Sequence, residues 1–392
     1  MENTAPELER LYFALAARID LPRAQKRALI SDFRRAAEVL VSRGLSPAEA
    51  AARLGHERLG DFYLSAPDYW YPLDDAAKIY PMSMTDGWMS VFRLSAYLDA
   101  PVEPSLLQLA LDLTMPRFPF FATKIKRGVF WHYIDGVKRR FTVQPETELP
   151  CAPMNVAAGD SQSFRVLYYG RRVSVEFFHI LTDGTWGLAF LTALLLAFMT
   201  EAAHAVSDES RGDISIQVPV NMRKFCPSKT LRNFSMYCSV RTPWAEAGEA
   251  ERLLPDITRQ LSERASETAM RGMLASTAEM VRLLGRVPLA VKRPAARIAY
   301  GFLGERAFTS TLSNLGAAKL PPEVEAHVEK LDFVLGTGER ARAACAMVTL
   351  KGLALLSVTK LTDDKTFETR LLSILEGAGV PVKLSGSMPY GA

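Results

Sequence analysis

The chain has 392 residues, 48% of them hydrophobic and 23% charged, and a formal net charge of +4. That is enough apolar material for two or three units of ordinary domain size, and it excludes a disordered class. So small a charge over this length gives no general case for nucleic acid binding, although it leaves room for a local basic patch. Cys151, Cys226, Cys238 and Cys345 are scattered without a Cys-x-x-Cys pair, which argues against a structural zinc site and a disulfide framework. A reducing cytoplasm is the expected setting, and the run from Met1 to Glu7 lacks the basic and apolar regions of a signal peptide.

In chain order, residues 1–62 read as a helical N-terminal appendage unlike the rest. Ser46-Pro47-Ala48-Glu49 is a capping box with proline at the first helical position, and Gly55 supplies the stop, so Ser46 to Leu54 is a short helix. A helix-turn-helix DNA reader is conceivable there. Arg34, Arg35 and Arg53 are too few charges to support it, and a packing or oligomerisation arm is the simpler reading. Asp61 to Leu73, rich in proline and aromatics, reads as the linker into a first lobe at 68–206.

That lobe carries a hairpin, Phe164 to Tyr169 and Val173 to His179, turned at Gly170-Arg171. The apolar run from Trp186 to Met199 is too short to span a bilayer and reads as a buried helix, so no transmembrane segment is expected. Ser207 to Asp213 is polar and turn-forming, the crossover to a second lobe at 214–392 that opens with a strand at Ile214 to Val220. Ala245 to Tyr300 is helical in pattern, broken by Pro255, Pro288 and Pro294. Strands at Ala343 to Leu350 and Ala354 to Lys360 and a helix from Lys365 to Ala378 close the chain. Gly336-Thr337-Gly338-Glu339-Arg340-Ala341 imitates a dinucleotide fingerprint, but strand-like residues follow where the helix should begin, and it reads as a hairpin loop.

The most informative stretch is Phe178-His179-Ile180-Leu181-Thr182-Asp183-Gly184. Alternation puts Val173, Val175, Phe177 and His179 on one apolar strand face, so His179 is expected to point inward. Asp183 stands where the strand stops, and Gly184 frees the backbone for the turn into the apolar helix. An imidazole in a dry interior can take a proton from a hydroxyl, amine or thiol. A lone histidine on such a face is more often a core residue bonded to a carbonyl, and it is the His-x-x-x-Asp-Gly spacing that favours chemistry. No Walker A sequence and no Gly-x-Ser-x-Gly elbow occurs. His56, His132, His204 and His327 show no metal-ligand spacing, so no metal site is expected.

This motif resembles that of the CoA-dependent acyltransferase superfamily, which includes chloramphenicol acetyltransferase, alcohol acyltransferases, polyketide-associated acyltransferases and the condensation domains of peptide synthetases. Three further segments support the resemblance, which covers roughly residues 68–390. Pro219-Val220-Asn221-Met222-Arg223 with the run from Lys224 to Phe234 is similar to the block whose arginine pairs with the motif aspartate, which makes Arg223 the partner of Asp183. Ser310-Thr311-Leu312-Ser313-Asn314-Leu315-Gly316 is similar to a stretch that crosses the active-site channel. Tyr71-Pro72-Leu73-Asp74 and Arg117-Phe118-Pro119-Phe120-Phe121 resemble the opening strand and first helix exit. Many relatives carry two adjacent histidines, and here the first is Phe178, which alternation turns away from His179. That departure favours a free-standing acyltransferase over an assembly-line condensation domain.

The resemblance implies an α/β (α+β) fold of two lobes, each a mixed sheet flanked by helices, with a channel between them. It implies acyl-CoA as co-substrate, no permanently bound cofactor and a small-molecule acyl acceptor bearing a hydroxyl. His179 is then the general base, Asp183 and Arg223 hold the corner, Gly184 makes the turn, and Asn314, Ser310 or Ser313 donates to the oxyanion. Lys224, Lys229 and Arg232 are candidates for the coenzyme A phosphates, with Arg271, Arg282, Arg286, Lys292, Arg293 and Arg297 as further cations whose simpler reading is a solvated helix face. Two alternatives stay open: a donor carried on an acyl carrier protein, and a non-catalytic member that binds a hydrophobic ligand.

Overall fold

The computed structural model describes residues 4–65, 68, 70–73, 77–78, 80–84, 89–154, 163–179, 189–206, 212–228, 233–303, 308–336 and 343–386. Four helices come first: α1 (Thr4–Arg18), α2 (Arg23–Ser42), α3 (Pro47–Arg53) and α4 (Asp61–Ser65). α3 starts on the expected box, with Ser46 Oγ accepting from the Glu49 N–H and the Glu49 carboxylate accepting from the Ser46 N–H. α4 occupies the start of the stretch read as a linker. Leu29 and Phe33 on α2 belong to the same buried cluster as Leu109, Phe164 and Phe178 of the first lobe. Arg140 ties the two parts further by donating to Asp32 on α2 and to the buried Asp112.

Next come β1 (Tyr71–Pro72), α5 (Tyr80–Ser83), β2 (Val91–Leu98), α6 (Pro104–Thr114), β3 (Thr123–Arg127), β4 (His132–Gly136), β5 (Val143–Pro145), β6 (Phe164–Tyr169) and β7 (Arg172–Phe178). The remaining elements are α7 (Ala189–Ala205), β8 (Asp213–Asn221), β9 (Ser235–Pro243), α8 (Ala250–Arg264), α9 (Glu267–Leu284), α10 (Leu289–Leu303) and β10 (Ser310–Ala317), then α11 (Pro322–Glu325), β11 (Val328–Leu335), β12 (Ala343–Leu350), β13 (Leu353–Thr359) and α12 (Thr366–Gly377).

Two five-stranded sheets carry the fold, in the orders β11-β2-β7-β6-β5 and β13-β12-β10-β8-β9, with a small β1-β4-β3 sheet beside them. Both large sheets are mixed. β5 and β6 run parallel in the first, and β12, β10 and β8 run parallel in the second. Helices α7, α8 and α12 contribute Leu196, Ile257 and Phe367 to the second core, where they join Ile216, Leu312 and Cys345 of that sheet. The expected two-lobed α/β architecture is present.

One reading of the sequence is corrected and one falls outside the described residues. Past Gly336, the stretch read as a hairpin loop lies outside the described residues; the strands on either side of it are in different sheets, β11 pairing with β2 in the first and β12 with β10 and β13 in the second. The chain therefore returns across the expected 206/214 boundary to lay one strand on the first lobe. Gly336 marks the departure point: its N–H donates to Val91 O at 2.9 Å, and a Cβ there would lie 2.9 Å from the same oxygen. Pro255 and Pro294 do not break helices but lie inside α8 and α10. An interior proline costs about 3 kcal/mol, and around Pro255 the burial of Leu253, Ile257 and Leu261 offsets that cost.

Candidate active site

The hairpin of β6 and β7 turns at Gly170, whose φ of 56° suits glycine, and aims the chain at the candidate site. Alternation along β7 is as expected, but the face opposite Val173, Val175 and Phe177 is the more deeply buried one, carrying Ser174, Glu176 and Phe178. Phe178, in the place of a first histidine, is wholly buried. Hydrophobicity could not reveal that Glu176 faces inward, because its charge is met from neighbouring strands by Arg93 and Arg165.

His179 follows the last residue of β7 and is held by its backbone, with its N–H donating to Ser90 O at 2.9 Å. The half-buried ring stacks on Tyr80, with 5.0 Å between centroids and 7° between planes, and meets Phe92 edge-on at 5.3 Å. Phe92 lies opposite Phe177 on β2, so the apolar face anticipated for His179 is the one it occupies. Asn233, fully buried just before β9, places Nδ2 2.8 Å from His179 Nδ1, and its Oδ1 accepts from the Ser235 N–H at 3.0 Å. Tyr80 and Tyr237 join hydroxyls at 2.6 Å, which links the ring stack to β9. Tyr237 also lines a cavity of about 300 Å³ with Cys238, Ser239, Arg264, Ala269, Met273 and Phe308.

Of the other expected residues, Asp183, Gly184, Lys229 and Arg232 lie outside the described residues. Arg223 sits in the 3-10 turn that ends β8; its N–H and Nη1 approach Asn221 Oδ1 at 3.0 and 3.4 Å, and its guanidinium lies 5.9 Å from the Phe234 ring centre. The Met222 N–H donates to Phe234 O, so this turn and Asn233 are fastened to one another. Lys224 lies beside the Phe225 ring, and Arg271 donates to Phe225 O, which gathers two of the candidate cations at this turn.

Lys292 is not available to a phosphate. It is buried, with Nζ donating to Leu284 O and lying 3.0 Å from the Trp131 ring centre, and burial first, then Lys78, lowers its pKa to about 8. Arg282 pairs with Glu279 on an exposed face of α9.

Ser310, Ser313 and Asn314 all lie on β10. Ser310 is wholly buried, and its Oγ has no hydrogen-bond partner among the described residues. Ser313 is buried too, while Asn314 accepts from the Gly316 N–H at 2.8 Å and extends Nδ2 to Thr192 Oγ1 at 3.4 Å. The structure therefore brings Asn233, Tyr80 and Phe92 to His179, with Tyr237 one hydroxyl beyond. None of these was singled out for a role in the sequence, although Asn233 falls inside the block quoted with Arg223. Among the described residues no three His, Cys, Asp or Glu side chains form a group that could hold a metal ion, and no helix is long and apolar enough to cross a membrane.

No family model matches the sequence, and no curated protein matches it. Solved structures do match in fold. Polyketide synthase associated protein 5 from Mycobacterium tuberculosis superposes with a TM-score of 0.51 at 10% identity, over 79% of this chain and 97% of that one. TRI101 from F. graminearum, solved with coenzyme A and T-2 mycotoxin, gives 0.52 at 8% identity over 80% and 99%. The epimerization domain from the third module of tyrocidine synthetase B gives 0.50 at 12% identity over 80% and 97%. The fold is thus the one implied by the resemblance of the histidine motif.

Proposed function

We propose that the protein is an acyltransferase that moves an acyl group from a thioester, with coenzyme A as its carrier, to a hydroxyl-bearing small molecule, and that His179 is the group that handles the proton. The observation that carries this reading is the setting of His179: one ring, half-buried, stacked on Tyr80 and bonded to a buried asparagine, at the end of a strand in a fold shared with a structure solved with coenzyme A. The stack and the bond fix the place of the ring before substrate arrives, and a fixed place is one requirement of proton transfer in a ternary complex.

In the proposed step the acceptor oxygen attacks the thioester carbonyl as its proton passes to His179. Collapse of the tetrahedral intermediate then expels the thiolate, which takes that proton. Asp183 and Arg223 are proposed to hold the corner, with Gly184 allowing its turn; Asn314, Ser310 or Ser313 is proposed to meet the oxyanion, and Lys224, Lys229 and Arg232 the coenzyme A phosphates. The cavity beside Tyr237, walled by Ala269, Met273 and Phe308, has the apolar character an acyl chain or an apolar acceptor requires.

The test is thiol release from a panel of acyl-CoAs, with and without alcohol and amine acceptors, in the wild type and in His179→Ala. Acceptor-dependent release that disappears in the variant supports the proposal. A second reading, transfer from a carrier-bound thioester, is favoured by the assembly-line names of two fold neighbours. Release from acyl carrier protein but not from acyl-CoA selects it, and no release from either donor overturns both.

A further inference from the structure

The hydrogen bonds around Asn233 decide which nitrogen of His179 carries the proton. The carboxamide is fully buried, and its oxygen accepts from the Ser235 N–H at 3.0 Å. The end that faces the ring at 2.8 Å is therefore the NH₂ group, which can only donate. Nδ1 must be the acceptor, and a neutral imidazole that accepts at Nδ1 carries its proton at Nε2. A protonated Nδ1 would point a donor at a donor.

We infer that Asn233 is a positioning residue that sets the tautomer of His179, holding it in the Nε2–H form in the unliganded protein, and that a half-turn of the Asn233 carboxamide is needed to make Nε2 a proton acceptor. The inference rests on the proposal that His179 handles the proton, and it adds a condition to it. In the Nε2–H form that nitrogen is a donor and has no lone pair with which to deprotonate an acceptor hydroxyl. After the half-turn Oδ1 faces the ring and accepts from Nδ1–H, which frees the Nε2 lone pair. The same half-turn replaces the acceptor opposite the Ser235 N–H by a donor, so the resting orientation is the one favoured by the protein's own bonds. Tyr80 and Phe92 meet the ring through their own rings, and those contacts do not select a tautomer.

The experiment is ¹⁵N nuclear magnetic resonance on protein labelled at the histidine rings, at a pH where the neutral ring dominates, with His179→Gln to assign the His179 signals among the five histidines. In the wild type Nδ1 is expected to resonate as a hydrogen-bonded acceptor nitrogen and Nε2 as a protonated one. In Asn233→Asp, where the ring faces a carboxylate that only accepts, Nδ1 is expected to shift to the protonated type. In Asn233→Ala the ring keeps only the intrinsic preference of a neutral histidine for Nε2–H, and both signals move from the pure Nε2–H positions toward those of a free neutral imidazole, in which the tautomers mix. A wild-type ring protonated at Nδ1, or a folded Asn233→Ala whose ring signals match the wild type, overturns the inference. If Asn233→Asp does not fold, as judged by circular dichroism, the wild type and Asn233→Ala still decide. Transfer assays on the same proteins are read separately: a wild type with no transfer from any donor sinks the functional proposal, while the spectra alone judge the tautomer.

Discussion

Arg93 on β2 and Glu176 on β7 stand directly opposite one another and form a buried ion pair, with Arg93 Nε donating to Glu176 Oε1 at 2.7 Å and 2% and 0% of their side chains exposed. Glu146 takes a second bond from Arg93, and Glu176 Oε1 also accepts from the Cys151 N–H. Removing Glu176 leaves Arg93 with Glu146 alone and Arg165 with the exposed Glu148, an excess of buried positive charge, and breaking a buried pair costs about 3–5 kcal/mol. Glu176→Ala is therefore expected to lower the free energy of unfolding by that order. Urea denaturation measures it, and a loss below about 1 kcal/mol would mean that water reaches the cluster.

His179→Ala should reduce acyl transfer by the factor that a lost acid–base group commonly costs, about 10²–10⁴. The ring is half-buried and its main-chain bond to Ser90 survives the substitution, so the melting temperature should move little. Steady-state kinetics beside a thermal melt separates the two effects. Near-wild-type turnover in a folded variant would remove His179 from the chemistry.

His132 on β4 is buried, and its Nδ1 has no hydrogen-bond partner among the described residues. Burial, then the nearby Arg293, Arg127 and Lys292, lowers its pKa from 6.5 to about 4. Between those two values the unfolded chain binds a proton that the folded chain refuses, so folding stability falls as pH drops from 6.5 toward 4. The difference amounts to ~3 kcal/mol at most. His132→Phe should flatten this part of the stability profile, read from denaturation midpoints across the range; an unchanged slope would assign the acid sensitivity to other groups.

Gly336→Ala should destabilise the crossing between the sheets, because the new Cβ would lie 2.9 Å from Val91 O while the Gly336 N–H bond to that oxygen holds the strands close. An overpacked contact of this kind costs about 1–3 kcal/mol. Hydrogen exchange along β11 and β2 would show the loss locally, and uniform protection equal to the wild type would speak against it.

Elements whose signals are local were legible in the sequence. The capping box at Ser46 and Glu49 is satisfied by residues three apart, the hairpin turning at Gly170 follows from adjacent alternation, and the last helix at Thr366–Gly377 lies within the range read from its pattern. The histidine motif indicated the superfamily fold because its residues are consecutive in the chain. Alternation likewise fixed that His179 shares a face with Phe177, since that needs only the two-residue repeat of a strand.

Tertiary structure alone decided what meets those residues. Tyr80 and Asn233 reach His179 from positions about a hundred residues before it and fifty after it, and no periodicity encodes such a pairing. The inward placement of Glu176 depends on Arg93, which lies 83 positions away, and on Arg165 in the neighbouring strand. The return of β11 to the first sheet depends on β2 having an open edge there and on glycine at 336 letting two backbones approach. A sequence sets the local propensities and the pattern of faces; which face is covered, and by which distant side chain, is settled only when separated segments compete for the same buried space.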